Sequence, residues 1–206
     1  MVKQQLIKRG IRNASVLRAM ETVPRHEFIP EAYRWLSYTD EPVPIGRGQT
    51  ISQPYIVAVM AEAIDLRGGE KVLEIGAGSG YAAAVLAELS VPVYTIEREP
   101  ALVELARQNL MHTGYVDRVT VIERDGTLGY PSEAPYQAIS VAAGAPEVPH
   151  PLLDQLDPAG GRLIIPVGST SNQELRMICK SASRVETETV TYCRFVPLCG
   201  ELGWRS

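Results

Sequence analysis

The sequence has few cysteines and no long apolar run, and both features restrict what the chain can be. Its three cysteines, Cys179, Cys193 and Cys199, are odd in number and lack the spacing of a metal site. We therefore expect reduced thiols and no bound metal. No apolar stretch approaches the roughly 18 residues that can span a bilayer. The polar, basic segment 1–10 lacks a signal-peptide core. These features predict a cytoplasmic protein without a membrane partner.

The chain also lacks a strong excess of one charge. A net charge of −4 and a pI near 5.5 argue against a broad nucleic-acid-binding surface. A hydrophobic content of 45% in 206 residues suits a single globular domain, 1–206. Within it we expect an N-terminal helical and loop segment at 1–53, a core at 54–168 and C-terminal strands and a tail at 169–206. The oligomeric state is not determined, with a monomer favoured.

A glycine-rich segment, 72–81, is the most informative feature present. An apolar run ends at Gly76, two more glycines follow at Gly78 and Gly80, and an alanine-rich helical pattern begins at Tyr81. A strand, a tight turn and a helix in this order present backbone N–H groups to a ligand. The dinucleotide fingerprint requires a glycine or alanine where Tyr81 stands. The loop therefore favours a nucleoside cofactor over a dinucleotide, although such a loop can also be a simple turn.

Two acidic residues follow the next two apolar runs. Glu97 lies about 20 residues beyond Gly76, where a carboxylate can accept hydrogen bonds from ribose hydroxyls. Asp125, followed by Gly126, ends a third run and could meet the edge of an adenine ring. Taken alone, Glu97 could be a solvated carboxylate and Asp125 a turn residue. Their spacing as consecutive strand ends favours a joint cofactor site.

Hydrophobic periodicity predicts an α/β fold. Strands are expected at 70–75, 92–96, 118–122, 136–141 and 161–167, and helices at 54–66, 80–90, 100–112 and 149–156. This alternation predicts a mostly parallel central sheet with helices on both faces. Segments 173–180 and 184–196 predict an antiparallel edge near the C-terminus. A helix capped by Ser15 and a long loop at 37–49 are expected before this core.

The chain resembles a known enzyme family. Its glycine loop, Glu97 and Asp125 resemble the cofactor motifs of class I S-adenosylmethionine-dependent methyltransferases, which have a Rossmann-like fold. Four further segments are similar to the protein-L-isoaspartate O-methyltransferase family: 23–31, 44–54, 145–149 and 194–198. The similarity extends from about Val2 to Leu198, and its most specific part is 48–54.

The resemblance implies methyl transfer from S-adenosylmethionine to the free carboxylate of L-isoaspartyl residues, and also of D-aspartyl residues, in damaged proteins and peptides. S-adenosylhomocysteine is the implied product, and protein repair the implied role. The implied cofactor contacts are Glu74, Gly76, Ala77, Gly78, Ser79, Glu97, Arg98, Asp125 and Gly126. The implied substrate contacts are Thr50, Ile51, Gln53, Ala142 and Ala143.

Ser52 is the candidate catalytic residue, since the family's active-site serine corresponds to it. Its hydroxyl can donate to a carboxylate oxygen where the long loop meets a helix. Spacing alone favours another role, the capping of the helix that begins near Pro54. The role of Glu74 is also open. Its carboxylate can bind loop amides, reach the cofactor's amino group through water, or be a satisfied carboxylate at the end of a strand.

Three positions depart from the family pattern. Gln137 occupies a position where the family usually has aspartate, Ala142 one where threonine is common, and Arg47 one where histidine is usual. We expect Gln137 and Ala142 to alter the acceptor side of the pocket, and Arg47 is a candidate for attracting an anionic substrate. Of the histidines, His26 is expected to pack, and the other two to lie at the surface.

Three other functions compete with methylation of isoaspartate. A nicotinamide-dependent oxidoreductase is disfavoured by Tyr81 and by the absence of a second nucleotide-binding half. A nucleic-acid base methyltransferase usually carries an Asp/Asn-Pro-Pro-aromatic stretch, whereas 141–146 is small and apolar. A non-catalytic binding module is disfavoured by the intact segment around Ser52.

Overall fold

The computed structural model describes residues 1–205 and contains a seven-stranded sheet flanked by helices. The α-helices are α1 (Ala14–Thr22), α2 (Pro54–Ile64), α3 (Tyr81–Leu89), α4 (Pro100–His112) and α5 (His150–Asp154). The strands are β1 (Val43–Gly46), β2 (Gln49–Ile51), β3 (Val72–Ile75), β4 (Val93–Glu97), β5 (Val119–Glu123), β6 (Ala138–Val141), β7 (Arg162–Gly168), β8 (Gln173–Lys180) and β9 (Val185–Cys193). Short 3₁₀ turns include Arg25–Phe28, Glu31–Leu36 and Gly126–Leu128.

The large sheet has the strand order β5-β4-β3-β6-β7-β8-β9. The first five strands in this order are parallel, while β8 and β9 pair antiparallel at the edge. The predicted α/β, Rossmann-like fold with a mixed edge is therefore confirmed. The strand order reverses between the neighbours β3 and β6, and such a reversal opens a crevice at the carboxyl ends of the strands.

Both faces of the sheet are buried at its central strands β3, β4, β6 and β7, which explains the nearly continuous apolar runs of these strands. Val72 and Ala138 pack on one face with residues of α1 to α4. Leu73 and Ile139, one position later, pack on the opposite face with α5. This alternation holds the parallel strands in register, because a shift by one residue would exchange the two faces. The carboxyl ends of β3, β4 and β6 are thus held rigidly side by side.

The region before the core differs from expectation in two places. Ser15 does not cap α1; the side chain of Asn13 accepts hydrogen bonds from the N–H groups of Ser15 and Val16, at 2.9 and 3.3 Å. The expected loop at 37–49 instead contains a hairpin, in which β1 pairs antiparallel with β2. Its turn is possible because 46–48, a Gly-Arg-Gly sequence, takes positive φ throughout. The hairpin brings β2 and the following Ser52 towards the crevice.

No helix within residues 1–205 combines the length and apolar character needed to cross a bilayer.

Candidate active site

The glycine loop forms the floor of the crevice. Gly76, Gly78 and Gly80 all take positive φ, and Gly80 lies directly before α3. The N–H groups of Gly76 and Ala77 donate to the carbonyl of Ile96 on β4, at 2.8 and 3.1 Å. These bonds tie the loop to the neighbouring strand. A side chain at Gly78 would also come within 3.2 Å of Ile45 in the hairpin, so this glycine lets the hairpin lie over the loop.

Glu97 braces the loop and faces the crevice. Its Oε2 accepts a hydrogen bond from the Gly78 N–H at 3.0 Å. Its Oε1 accepts from the N–H groups of Arg98 and Glu99, at 2.8 and 3.0 Å. A carboxylate has about four lone-pair sites, so these three bonds leave room for one further donor at Oε2. The remaining site fits a ribose hydroxyl, and the contact of Glu97 with the ribose stays a prediction.

Glu74 is completely enclosed beneath the loop. Its Oε2 accepts a hydrogen bond from the Thr95 hydroxyl at 2.6 Å, while Oε1 has no partner among residues 1–205. Burial raises the pKa of Glu74 to about 8, with the nearby Glu97 adding to the shift and the Thr95 bond opposing it. The carboxyl group is therefore mainly protonated at neutral pH. It makes no bond to a loop amide and does not line the cavity, so its role towards the cofactor stays a prediction.

The protonated state of Glu74 predicts an unusual pH dependence of stability. Between its usual pKa of 4.5 and about 8, folded Glu74 keeps a proton that the unfolded chain releases. Its contribution to the free energy of unfolding therefore falls with rising pH, by about 1.4 kcal/mol per pH unit. Glu74→Gln should abolish this fall. Urea unfolding from pH 5 to 8, without cofactor, measures it, and the exposed Glu123→Gln is the control. Equal slopes for wild type and Glu74→Gln would contradict a buried, protonated Glu74.

Asp125 is hydrogen-bonded to two other segments of the chain. Its Oδ1 accepts hydrogen bonds from the N–H and the hydroxyl of Thr127, at 2.8 and 2.7 Å, and Oδ2 accepts from the Glu201 N–H at 2.7 Å. Burial raises its pKa, but these bonds outweigh that effect and hold the pKa below its usual value. The segment is also held by Trp204, whose indole N–H donates to the Gly144 carbonyl at 2.9 Å. Asp125 thus holds the C-terminal segment, and its contact with adenine stays a prediction.

Ser52 lies between β2 and α2, and it does not cap the helix. The residue at the cap position is Gln53, whose side chain makes no capping bond. One N–H of the first turn finds its acceptor elsewhere, because the Oδ1 of Asp40 accepts from the Tyr55 N–H at 2.9 Å. The capping alternative for Ser52 is therefore wrong, because the Asp40 carboxylate, and not the Ser52 hydroxyl, accepts from the first turn of α2. The carbonyl of Ser52 accepts a hydrogen bond from Arg25 at 2.8 Å.

Two cavities meet at Ser52. The first, of about 330 Å³, lies over the glycine loop, and the second, of about 590 Å³, opens beyond it towards β9. Their shared lining residues are Thr50, Ser52, Ala142, Val196 and Pro197. The predicted site residues in the first cavity are Thr50, Ile51, Ser52, Gly76, Ala77, Gly78, Ser79, Glu97, Arg98, Gly126, Ala142 and Ala143. Gln53 lines only the second cavity, while Glu74 and Asp125 line neither.

The wall opposite Ser52 comes from residues to which the sequence assigned no role. The segment 194–198 was noted only for its resemblance, yet Val196 and Pro197 line both cavities. The Val196 carbonyl accepts a hydrogen bond from the Gly144 N–H at 2.8 Å. Buried Gln173 fixes the start of the wall, because its Oε1 accepts from the Phe195 N–H at 2.7 Å. Pro197 and its apolar neighbours in the motif were the available signal.

All three departures from the family pattern now have locations, Ala142 in the lining shared by both cavities. Gln137 precedes β6 at the amino end of the strand, where its Oε1 accepts from the Lys71 N–H and its Nε2 donates to Asp157, both at 2.9 Å. It therefore lies at the opposite edge from the cavities, and its predicted effect on the acceptor side is wrong. Arg47 lines the first cavity and faces Glu99 at 3.7 Å.

Comparisons with known proteins agree with this geometry. The family model described as Protein-L-isoaspartate(D-aspartate) O-methyltransferase matches residues 1–203. The chain is 55% identical to Protein-L-isoaspartate O-methyltransferase 2 of Marinobacter nauticus, over 99% of this chain and 93% of that protein. It is 52% identical to the Protein-L-isoaspartate O-methyltransferase of Hyperthermus butylicus, over 98% of this chain and 88% of that protein.

Solved structures give the same result. A protein-L-isoaspartate O-methyltransferase superimposes with a TM-score of 0.84 at 30% identity, covering 98% of this chain and 67% of the other. A Plasmodium falciparum structure described as the same kind of enzyme, in complex with S-adenosyl-L-homocysteine, superimposes with a TM-score of 0.81 at 28% identity, covering 95% of both chains.

Proposed function

The chain belongs to the protein-L-isoaspartate(D-aspartate) O-methyltransferase family, and we propose how its two cavities perform that family's reaction. The enzyme transfers a methyl group from S-adenosylmethionine to the free carboxylate of an L-isoaspartyl residue, the first step in repairing the damaged protein. Our proposal assigns the first cavity to the cofactor and the second to the acceptor, with Ser52 between them.

The first cavity fits an adenosyl cofactor. Its floor is a glycine turn in which a side chain at Gly78 would press against the hairpin. Its side holds Glu97 with one lone-pair site left for a ribose hydroxyl. Gly126 and Cys199 of the C-terminal segment also line it. We assign the ribose to Glu97 and the adenine to the wall at Gly126, which Asp125 supports by holding that segment.

When bound, the cofactor supplies a methyl group already activated on a positively charged sulfur. The acceptor carboxylate is ionised at pH 7 and needs no general base. The task of the chain is therefore orientation and the exclusion of water. The Ser52 hydroxyl can donate to one carboxylate oxygen and leave the other aligned for attack. Thr50 and Ala142 flank this position, while Gln53 faces the second cavity only.

The observation that carries this assignment is the shared wall of the two cavities. A methyl group can pass between two bound molecules only where their sites touch, and here the sites touch at Thr50, Ser52 and Ala142. The second cavity is broad and open, and it is lined by polypeptide from β9 and the segment after it. This shape suits an acceptor carried on a peptide rather than a small free metabolite.

The test is methyl transfer from labelled S-adenosylmethionine to a peptide containing isoaspartate, with the matched aspartate peptide as control. We expect label on the isoaspartyl peptide only. Transfer to both peptides, or to neither, would overturn the assignment of the acceptor. Calorimetry with S-adenosylhomocysteine and with NAD tests the first cavity separately, and we expect binding of the former alone.

Finer properties remain proposals. We propose a cytoplasmic location, supported by three cysteines that are all free thiols. We also propose that the enzyme is a monomer, that nucleic acid and membranes are not its partners, and that D-aspartyl residues are accepted alongside L-isoaspartyl ones. A D-aspartyl peptide in the same assay tests the acceptance of D-aspartyl residues. The mass of the protein in solution tests the monomer.

A further inference from the structure

Arg25 is a fully buried charge directly behind the site. It follows Pro24 in a 3₁₀ turn, and its side chain has no exposed area. Its Nε donates to the Ser37 carbonyl and its Nη2 to the Ser52 carbonyl, both at 2.8 Å. Its guanidinium carbon lies 4.7 Å from the centroid of the Tyr81 ring, within the range of a cation–π contact. One side chain therefore contacts three separate segments of the chain.

Burying the guanidinium of Arg25 costs free energy. Burial lowers the pKa of Arg25, yet a guanidinium is effectively always protonated in proteins. Its Nη1 has no hydrogen-bond partner among residues 1–205. Taking a charge out of water carries a large desolvation penalty that hydrogen bonds return only in part, so a buried ion is weak evidence for a stabilising role. Stability alone is thus a weak reason for an arginine at this position.

The contacts of Arg25 join the two halves of the site. Ser52 lines both cavities, and Tyr81 lines the first cavity at the start of α3, immediately after the glycine loop. Arg25 bonds the backbone of Ser52 and stacks against the ring of Tyr81. The planar fork of a guanidinium can hold both relations at once, which a lysine ammonium cannot do. The distance between Ser52 and the glycine loop therefore depends on the Arg25 side chain.

Asp40 completes the frame from the other side. Its Oδ1 accepts from the Tyr55 N–H at 2.9 Å, its other oxygen pairs with Arg9, and its charge acts favourably on Arg25. The segment 52–55 is thus fixed at its first carbonyl by Arg25 and at its last N–H by Asp40. The Ser52 hydroxyl projects from a backbone held at both ends.

We propose that Arg25 is a positioning residue for methyl transfer, which holds the Ser52 loop at a set distance from the glycine loop through the Ser52 carbonyl and the Tyr81 ring. This inference rests on the proposed function of Ser52. It concerns alignment, since the guanidinium contacts neither cavity.

The first test is a double-mutant cycle between Arg25→Lys and Ser52→Ala. Arg25→Lys should lower kcat on the isoaspartyl peptide by about tenfold or more, because small misplacements of reacting groups are costly. Its Kd for S-adenosylhomocysteine should stay within about threefold of wild type. In the Ser52→Ala background the same change should lower kcat by less than about threefold, since residues that act through one another are not additive. Arg18→Lys, an exposed arginine on α1, is the matched control.

The second test needs no turnover. Amide hydrogen exchange of wild type and Arg25→Lys should show faster exchange in 50–57 and unchanged exchange in β3. Arg25→Met, if it folds, should show the same local pattern. Unchanged exchange in 50–57, wild-type kcat in Arg25→Lys, or full additivity with Ser52→Ala would each overturn the proposal. A wild type that does not methylate the isoaspartyl peptide would end the proposed function, while the exchange measurement would still decide the role of Arg25.

Discussion

Ser52→Ala should lower kcat on an isoaspartyl peptide by about a hundredfold, because an unanchored carboxylate spends little time in line with the methyl group. The Kd for S-adenosylhomocysteine should change little, since Glu97 and the glycine loop remain. The melting temperature should also change little, because Asp40 and not Ser52 satisfies the first turn of α2. Turnover, calorimetry and thermal unfolding on the one variant measure all three quantities.

The control for this variant is Ser15→Ala, which removes the hydroxyl of an exposed serine in α1. Ser52→Thr keeps a donor and should recover part of the activity, as far as its extra methyl group fits. Since the hydroxyl is not a base, the pH profile of the residual activity should follow that of wild type. Full turnover in Ser52→Ala would remove Ser52 from the acceptor site and direct attention to Thr50 and Gln53.

Glu97→Ala should weaken binding of S-adenosylhomocysteine by about tenfold to a hundredfold, as expected for one hydrogen bond to a charged group at 1.5–3 kcal/mol. The variant also loses the acceptor for the N–H groups of Gly78, Arg98 and Glu99, so the glycine loop should become less ordered. Calorimetry gives the affinity, and hydrogen exchange in 76–80 reports the loop.

The chain offers a matched control for this variant. Glu123 occupies the position on β5 that pairs in register with Glu97 on β4, but it is exposed and lines neither cavity. Glu123→Ala should leave the affinity unchanged. Equal affinities for wild type and a folded Glu97→Ala would withdraw the ribose assignment. A 2′-deoxyadenosyl and a 3′-deoxyadenosyl analogue then identify which hydroxyl donates to Glu97. The analogue that lacks this hydroxyl should lose less affinity on Glu97→Ala than the other analogue does.

The parts of the site that lie close together in the chain could be predicted from the sequence. The glycine loop, its preceding strand and α3 occupy one continuous segment, and backbone sterics select glycine where φ is positive. Glu97 was found because parallel strands joined by helices end at the same edge of the sheet. The central strands β3, β4, β6 and β7 lie close to their predicted ranges because a strand buried on both faces is a short apolar run. The edge strands β8 and β9 were predicted from their β-branched residues and the polar turn between them.

The hairpin and the helix caps were missed because the local sequence is compatible with more than one structure at each of these places. The segment 37–49 is rich in proline and glycine, which indicates a loop equally well as a tight hairpin. Only the pairing of Val43 with Ile51 decides between them. At α2 a serine stands in a plausible capping position, and only the approach of Asp40 from an earlier loop shows that the cap is supplied from elsewhere.

By itself, the sequence determined the fold class, the cofactor loop and the position of Glu97, because each depends on periodicity or on spacing within one βα unit. The tertiary structure alone decided that Asp125 holds the C-terminal segment, that Gln137 lies far from the cavities and that Arg25 contacts Ser52 and Tyr81. These relations join residues distant in the chain. They follow from the direction and burial of side chains after packing, which no local pattern of residues specifies.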